Sequence, residues 1–197
     1  MMNASELKAG TKAFQDHEAR DAMYKTATFL VKHFWGNPRE MADSLGVLLL
    51  TWNQAFYRYG LLDFSALENC IARNQQALDS FRNQNILSYA PADDDSINNL
   101  YEQFLKALQI ADGKAAGRQS PVAVAKALHL LAPAFYPLWD DKIAKAYGCH
   151  YKYIPYMQKM RNLVNLLTPE VDVQSTGKTL LKLIDEYNYA KFTKAWV

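Results

Sequence analysis

The chain has 197 residues, of which half are hydrophobic and 13% aromatic, and its formal net charge is +2. This size and apolar content exclude an intrinsically disordered chain and suit one globular domain. The longest apolar run, Leu45–Leu50, is too short to span a bilayer, and the first ten residues lack the layout of a secretory signal. Two cysteines are too few for a disulfide framework. We therefore expect a cytoplasmic monomer with no membrane contact.

The charges are divided unevenly along the chain. Residues 1–105 carry 9 basic and 13 acidic side chains, whereas residues 106–197 carry 13 basic and 7 acidic ones. A basic half is typical of proteins that bind a polyanion such as nucleic acid. The alternative, which has equal weight, is that these lysines are scattered over a solvated surface and bind no polyanion.

Nearly every segment has the apolar spacing and the capping residues of a helix. The clearest start is Asn37-Pro38-Arg39-Glu40, with an N-cap, a proline at the first position and a glutamate at the third. The predicted helices run from Asn37 to about Tyr59, from Asp63 to about Arg82, from Asp93 through Leu108, from Ser120 to a break at Pro133, from Asp140 to about Gly148, from Pro155 to Leu167 and from about Gly177 to Tyr187.

No alternating strand of convincing length, internal repeat or low-complexity linker is evident. We expect Gly113–Gly117 to be a flexible loop. The fold class is therefore all-α, a single globular domain over residues 1–197. We expect two helical lobes, about 35–110 and 1–34 plus 111–197, with a cleft between them.

The stretch Ser120–Gly148 is the most informative part of the sequence. Between Pro121 and Trp139 it holds one formal charge, Lys126, in an otherwise apolar run. An amine is costly to bury in its charged form, so such a lysine either extends its tip to water or acquires a lowered pKa. A lowered pKa makes the amine a nucleophile.

The order of elements in this stretch resembles the helix-hairpin-helix DNA glycosylase superfamily, which includes endonuclease III and the 8-oxoguanine glycosylases. The lysine element is Val124-Ala125-Lys126-Ala127-Leu128, and the aspartate element is Pro137-Leu-Trp-Asp140-Asp-Lys-Ile143. The likeness covers about thirty residues. Val122-Ala123-Val124 stands where the family has Gly-x-Gly, and the iron–sulfur cysteines of endonuclease III are missing. No metal site and no cofactor are implied.

The resemblance implies an all-helical DNA glycosylase with AP-lyase activity that removes a damaged or modified base. Lys126 would attack C1′ of the flipped-out nucleotide and form a Schiff base, and Asp140 would stabilise the charge that develops on the sugar. Asp141 is the alternative acid, although the family spacing favours Asp140. Asp140 is also a plain N-cap candidate.

The residues that would contact DNA form two groups. The predicted base-binding side chains are Trp52, Asn53, Gln54, Tyr57 and His129. The predicted contacts to the DNA backbone are Arg118, Lys142 and Lys145. For the aromatic residues and His129 the alternative is an ordinary place in the core.

Two other functions stay open. The first is a non-catalytic helical module that binds nucleic acid or a protein partner, for which Lys126 and Asp140 would be dispensable. The second is a small helical enzyme or defence protein that acts on something other than DNA.

Overall fold

The computed structural model describes residues 2–58 and 60–197, and these are 68% helix and 4% strand. The predicted all-α class is therefore confirmed. The helices are α1 (Ala4–His17), α2 (Ala22–His33), α3 (Pro38–Trp52), α4 (Gln54–Tyr57), α5 (Phe64–Arg82), α6 (Asp94–Ala107), α7 (Pro121–Leu131), α8 (Asp141–Ala146), α9 (Tyr153–Leu167) and α10 (Leu180–Asn188). Within the described ranges, none of the helices has both the length and the apolar character needed to cross a bilayer.

Four predicted helix starts are confirmed by their capping geometry. The side chains of Asn37, Asp63, Ser120 and Asp140 each accept a hydrogen bond from the backbone N–H three positions along the chain. Each bond satisfies one of the N–H groups that the first turn of a helix leaves free. These starts are local features, which is why the sequence predicts them well.

The helix expected from Asn37 to about Tyr59 is interrupted at Asn53, between α3 and α4. The Asn53 side chain donates a hydrogen bond to Ser120 Oγ at 3.2 Å, which ties the end of α3 to the start of α7. This contact between distant segments lies at the point where the helical geometry is interrupted. Tyr59, where we expected the helix to end, lies outside the described residues.

A short β-ribbon accompanies the helices, although the sequence shows no alternating strand of convincing length. Strand β1 (Gly60–Leu62) pairs antiparallel with β2 (Ile110–Gly113), so β2 covers the first residue of the predicted loop 113–117. The turn after β2 closes with a hydrogen bond from Gly117 N to the Ile110 carbonyl at 2.7 Å. Strands of three and four residues are too short for an alternating pattern to show.

Helix α7 lies at the centre of the core. Ala123, Val124, Ala125, Ala127 and Leu128 have no exposed surface. Helices α2, α3 and α6 pack around α7.

The buried cluster is continuous and includes helices from both of the predicted lobes. Lys126, on this central helix, is half-buried and reaches the end of α3. The division into two lobes stays a prediction.

Helices α1 and α10 pack closely against each other at Gly10. A Cβ atom at this position would lie 3.0 Å from both Cα and Cβ of Tyr187 and would overlap its ring. Because Cα belongs to the backbone, the overlap cannot be relieved by a side-chain rotation alone. Gly10 therefore sets the distance at which α10 sits against α1.

We predict that Gly10→Ala lowers the free energy of unfolding by about 1–3 kcal/mol, as overpacking does. In an open helix the same change would instead raise it, by about 1 kcal/mol. Urea denaturation measures the difference, with the exposed Lys8→Ala in the same helix as the control. A stabilised Gly10→Ala variant would contradict the close contact.

Candidate functional site around Lys126

Lys126 extends from α7 to the C-terminal end of α3. Its Nζ donates a hydrogen bond to the Trp52 carbonyl at 2.8 Å and lies 3.4 Å from Asn53 Oδ1. The same Nζ is 4.9 Å from the centre of the Trp52 ring. The side chain is half-buried, and the oxygens nearest to its amine are neutral.

Burial lowers the pKa of Lys126 from 10.5 to about 8. Two carboxylates oppose this effect and raise the pKa, Asp185 more than Asp140. Neither carboxylate forms a direct ion pair with the amine in the part of the chain that the structure describes. A lysine with a pKa near 8 has a substantial neutral fraction at mildly alkaline pH, as a nucleophile requires.

Asp140 caps α8 with one carboxylate oxygen and contacts the C-terminal segment with the other. Its Oδ1 accepts the N–H of Ile143 at 2.8 Å, and its Oδ2 accepts the hydroxyl of Thr193 at 2.5 Å. Asp141, in contrast, is exposed and accepts a hydrogen bond from the Tyr151 hydroxyl. Of the two adjacent acids, Asp140 is the one whose charge raises the pKa of Lys126.

A buried cluster of charges on α10 was not anticipated from the sequence. The side chain of Lys182 is 1% exposed, and its Nζ lies 3.4 Å from Asp21, 3.6 Å from Asp185 and 3.5 Å from Glu186. Lys178 pairs with Glu186 and lies 3.6 Å from Asp21. The sequence carried a signal for this cluster, because Asp185 and Glu186 follow Lys182 by three and four residues on one helix.

Within this cluster, the carboxyl of Asp185 has a raised pKa. Burial raises the pKa of its carboxyl from 3.8 to about 6, although the Lys182 charge lowers it. Glu186 and Asp140 raise it further, and Lys126 lowers it. Near pH 7 the carboxylate is therefore mostly ionised, with a small protonated fraction.

A cavity of about 440 Å³ adjoins these groups. The segment from Phe14 to Met23, Trp52 at the end of α3, and residues Lys182, Asp185 and Tyr189 on and after α10 form its walls. Trp52 and Asp185 belong to the cavity wall and also act on the Lys126 amine. Lys126 itself is not among the residues that line the cavity.

The five predicted base-binding residues fall into different environments. Trp52 lines the cavity, and Asn53 contacts Lys126 and Ser120. Gln54 is exposed on the surface. These positions leave Trp52 as the member of this group that can face a ligand in the cavity.

Two base-binding assignments are corrected, because Tyr57 and His129 belong to the core. The Tyr57 hydroxyl donates to the Leu108 carbonyl at 2.8 Å. His129 is fully buried, with Nδ1 donating to the Tyr136 carbonyl at 2.7 Å and Nε2 accepting from the Tyr24 hydroxyl at 3.1 Å. Burial lowers the pKa of His129 to about 3, so the ring is neutral and structural.

The three predicted contacts to the DNA backbone are all exposed. Arg118 lies just before α7, and Lys142 and Lys145 lie on α8. Lys142 Nζ also donates to the carbonyl of Thr193 at 2.9 Å. Thr193 therefore contacts both Lys142 and Asp140, which places this exposed lysine next to the site.

Over residues 2–58 and 60–197, no group of three or more His, Cys, Asp or Glu side chains is arranged to hold a metal ion.

Comparison with protein-family models, with curated proteins and with solved structures found no match to this chain.

We predict that Asp185→Asn stabilises the protein at pH 7 by about 1–3 kcal/mol. Because the pKa of Asp185 is higher in the folded chain, the folded state binds more protons than the unfolded state between about pH 4 and pH 6, and stability falls as pH rises through this window. Asparagine does not ionise, so the variant does not lose this stability as the pH rises. Chemical denaturation at pH 4 and pH 7 should show equal stabilities at pH 4 and a more stable variant at pH 7.

The exposed Asp43→Asn in α3 is the control and should show no such difference between the two pH values. A less stable Asp185→Asn protein at pH 7 would show that ionised Asp185 contributes to folding rather than opposing it.

Proposed function

We propose that this protein is a DNA glycosylase with AP-lyase activity, acting on a damaged or modified base through Lys126. The observation that carries the proposal is the half-buried Lys126 amine, which bonds to neutral oxygens and has a pKa lowered to about 8. Most lysines in proteins keep a pKa near 10.5 and are protonated at neutral pH. A lysine altered in this way, beside a cavity, is a candidate nucleophile.

The proposed reaction uses the neutral form of the amine. The Lys126 nitrogen forms a bond to C1′, and the bond between C1′ and the base breaks, with its electron pair leaving on the base, which takes up a proton. The attached nitrogen then loses a proton, its lone pair forms the C1′=N bond of the Schiff base, and the bond from C1′ to the ring oxygen O4′ breaks with its electron pair on O4′, which takes up a proton. Removal of a proton from C2′ then expels the 3′ phosphate with its electron pair.

Asp140 supports the step in which the sugar becomes positively charged. A carboxylate placed in advance near the reacting carbon stabilises this charge without reorganising. Hydrogen bonds from Ile143 N–H and the Thr193 hydroxyl fix the orientation of the Asp140 carboxylate. The charge of Asp140 raises the pKa of Lys126, which supports the proposal that both side chains act at the same sugar.

The cavity supplies a place for an everted base. Enzymes that act on a base within a duplex turn it out of the helix and stack it against aromatic side chains. Phe14, Trp52 and Tyr189 contribute aromatic rings to the cavity of about 440 Å³. Arg118, Lys142 and Lys145 are exposed and would contact the phosphates on either side.

A non-catalytic module is the second candidate, and one observation favours it. The Lys126 amine donates to the Trp52 carbonyl at the end of α3, which is a contact that a purely structural lysine makes at a helix C-terminus. In that case the basic surface would bind nucleic acid and Lys126 would only join α7 to α3. Trapping and binding experiments separate the two candidates.

We predict that borohydride reduction of a mixture of this protein with abasic or lesion-bearing DNA yields a covalent adduct. Lys126→Gln should form no adduct, because the amide lacks a nucleophilic amine. Asp140→Asn should lower base excision by at least about 100-fold through loss of charge stabilisation. Adducts are quantified on denaturing gels across a panel of modified bases.

Lys8→Gln is the matched control, since it removes an exposed amine in α1, outside the proposed DNA contacts, and leaves Lys126 in place. Failure of the wild-type protein to form any adduct or to excise any base across the panel would remove the glycosylase proposal.

We also predict that Arg118→Gln and Lys145→Gln each weaken DNA binding at all sequences alike. Each should reduce the slope of log affinity against log salt concentration by about one, as loss of one phosphate contact does. Fluorescence anisotropy at several salt concentrations gives the slope, with the exposed Lys8→Gln in α1 as the control. An unchanged slope in both variants would place the DNA elsewhere.

A further inference from the structure

We propose that a groove along α2 binds single-stranded nucleic acid, with phosphates on its cations and bases on its planar side chains. The groove shares no lining residue with the cavity beside Trp52. It also contains none of Arg118, Lys142 and Lys145, the proposed contacts to the DNA backbone. The inference concerns binding alone, so it does not depend on the glycosylase proposal.

The groove consists of two adjoining hollows on one side of α2. The first has a volume of about 310 Å³ and is lined by α2 and by residues 176–178, before α10. The second has a volume of about 250 Å³ and is lined by α2, the end of α5 and the end of α7. Thr28 and Lys32 line both hollows, which therefore form one groove.

The described residues that line the groove include four cations and no acid. Lys25 and Lys32 come from α2, Arg82 from α5 and Lys178 from the segment before α10. Lys178 pairs with Glu186, whereas the other three cations form no ion pair among the residues that the structure describes. Three positive charges therefore face the groove without a paired carboxylate, as a binding site for a polyanion requires.

The spacing of residues on α2 places these groups in one stripe. Lys25, Thr28, Phe29 and Lys32 occupy positions i, i+3, i+4 and i+7, which share one side of a helix. The two lysines are separated by about 10 Å along the helix axis. A strand that follows α2 would therefore meet a cation, an aromatic ring and a second cation in turn.

Planar side chains lie beside the cations in both hollows. In the first hollow Phe29 is 65% exposed, and its ring stacks on the exposed His33 at 5.8 Å. In the second, the Arg82 guanidinium lies 4.0 Å from the centre of the Trp35 ring, whose indole N–H donates to Asp79. Unpaired bases stack on aromatic rings and on guanidinium planes of this kind.

This combination of groups favours a single strand over a duplex. A duplex offers phosphates to the lysines, but neighbouring bases cover its base faces, so the ring of Phe29 would have no base to stack on. A single strand offers phosphates and uncovered base faces together, and a cationic groove with aromatic rings binds it without sequence preference. An anionic lipid surface would also attract the lysines, so vesicles form one arm of the experiment.

The experiment measures the fluorescence anisotropy of a labelled oligothymidylate of about 12 residues with the full chain, at several salt concentrations. Lys25→Gln, Lys32→Gln and Arg82→Gln should each weaken binding. Each should also reduce the slope of log affinity against log salt concentration by about 0.7, as loss of one phosphate contact on a single strand does. Phe29→Ala should weaken binding about 10-fold and leave the slope unchanged, because stacking releases no counterion. Phe29→Trp keeps a ring and should retain the affinity.

Two matched controls remove exposed side chains elsewhere. Lys8→Gln removes an amine from α1, and Leu166→Ala removes an apolar side chain from α9. Both should leave the affinity and the slope unchanged. A duplex of the same length should bind more weakly than the single strand and should not respond to Phe29→Ala.

Three results would overturn the inference: no binding of the oligothymidylate by the wild-type protein, an unchanged affinity in Phe29→Ala, or unchanged slopes in all three cation variants. Binding of anionic vesicles that depends on Phe29, in place of binding to the strand, would assign the groove to a lipid surface instead. The oligothymidylate carries no lesion, so a failure of borohydride trapping removes the glycosylase proposal and leaves this inference standing. The reverse result, trapping without binding through α2, removes this inference alone.

Discussion

The burial of the Lys182 amine is the constraint on which the candidate site depends. An amine that is 1% exposed is tolerated in a protein interior when oppositely charged groups surround it. Here Asp21, Asp185 and Glu186 provide these charges from the start of α2 and from α10 itself. The ion pairs thereby fix the segment before α2 against α10, and the cavity lies between that segment, α10 and Trp52.

The same cluster explains why the site contains a carboxyl group with a raised pKa. Five charged side chains share a small volume, and the carboxylates outnumber the amines by one. Burial is the largest cause that raises the pKa of Asp185 to about 6, and the like charge of Glu186 raises it further. The ionised form of Asp185 therefore reduces the stability of the fold. Groups that oppose folding in this way are concentrated at functional sites, since a binding or catalytic task can require them.

The sequence predicts those parts of the fold and the site that depend on neighbouring residues. Asp63 and Asp140 cap helices through bonds to N–H groups three positions away, and the lone charge of Lys126 in an apolar helix is visible without coordinates. At the break, Asn53 bonds to Ser120, 67 positions away, and no local pattern contains this contact. The core position of His129 likewise involves a distant residue, because one of its two hydrogen-bond partners is Tyr24, 105 positions away.

A comparison of the two buried lysines shows why Lys126 is the candidate nucleophile of this chain. Burial lowers the pKa of Lys182, but Asp185, Asp21 and Glu186 outweigh that effect and raise it. Lys126 is less buried, yet the nearest partners of its amine are the neutral oxygens of Trp52 and Asn53, and its pKa falls. Burial alone therefore does not make an amine reactive in this protein. The lowered pKa requires desolvation without a paired carboxylate to offset it, and Lys126 meets both conditions.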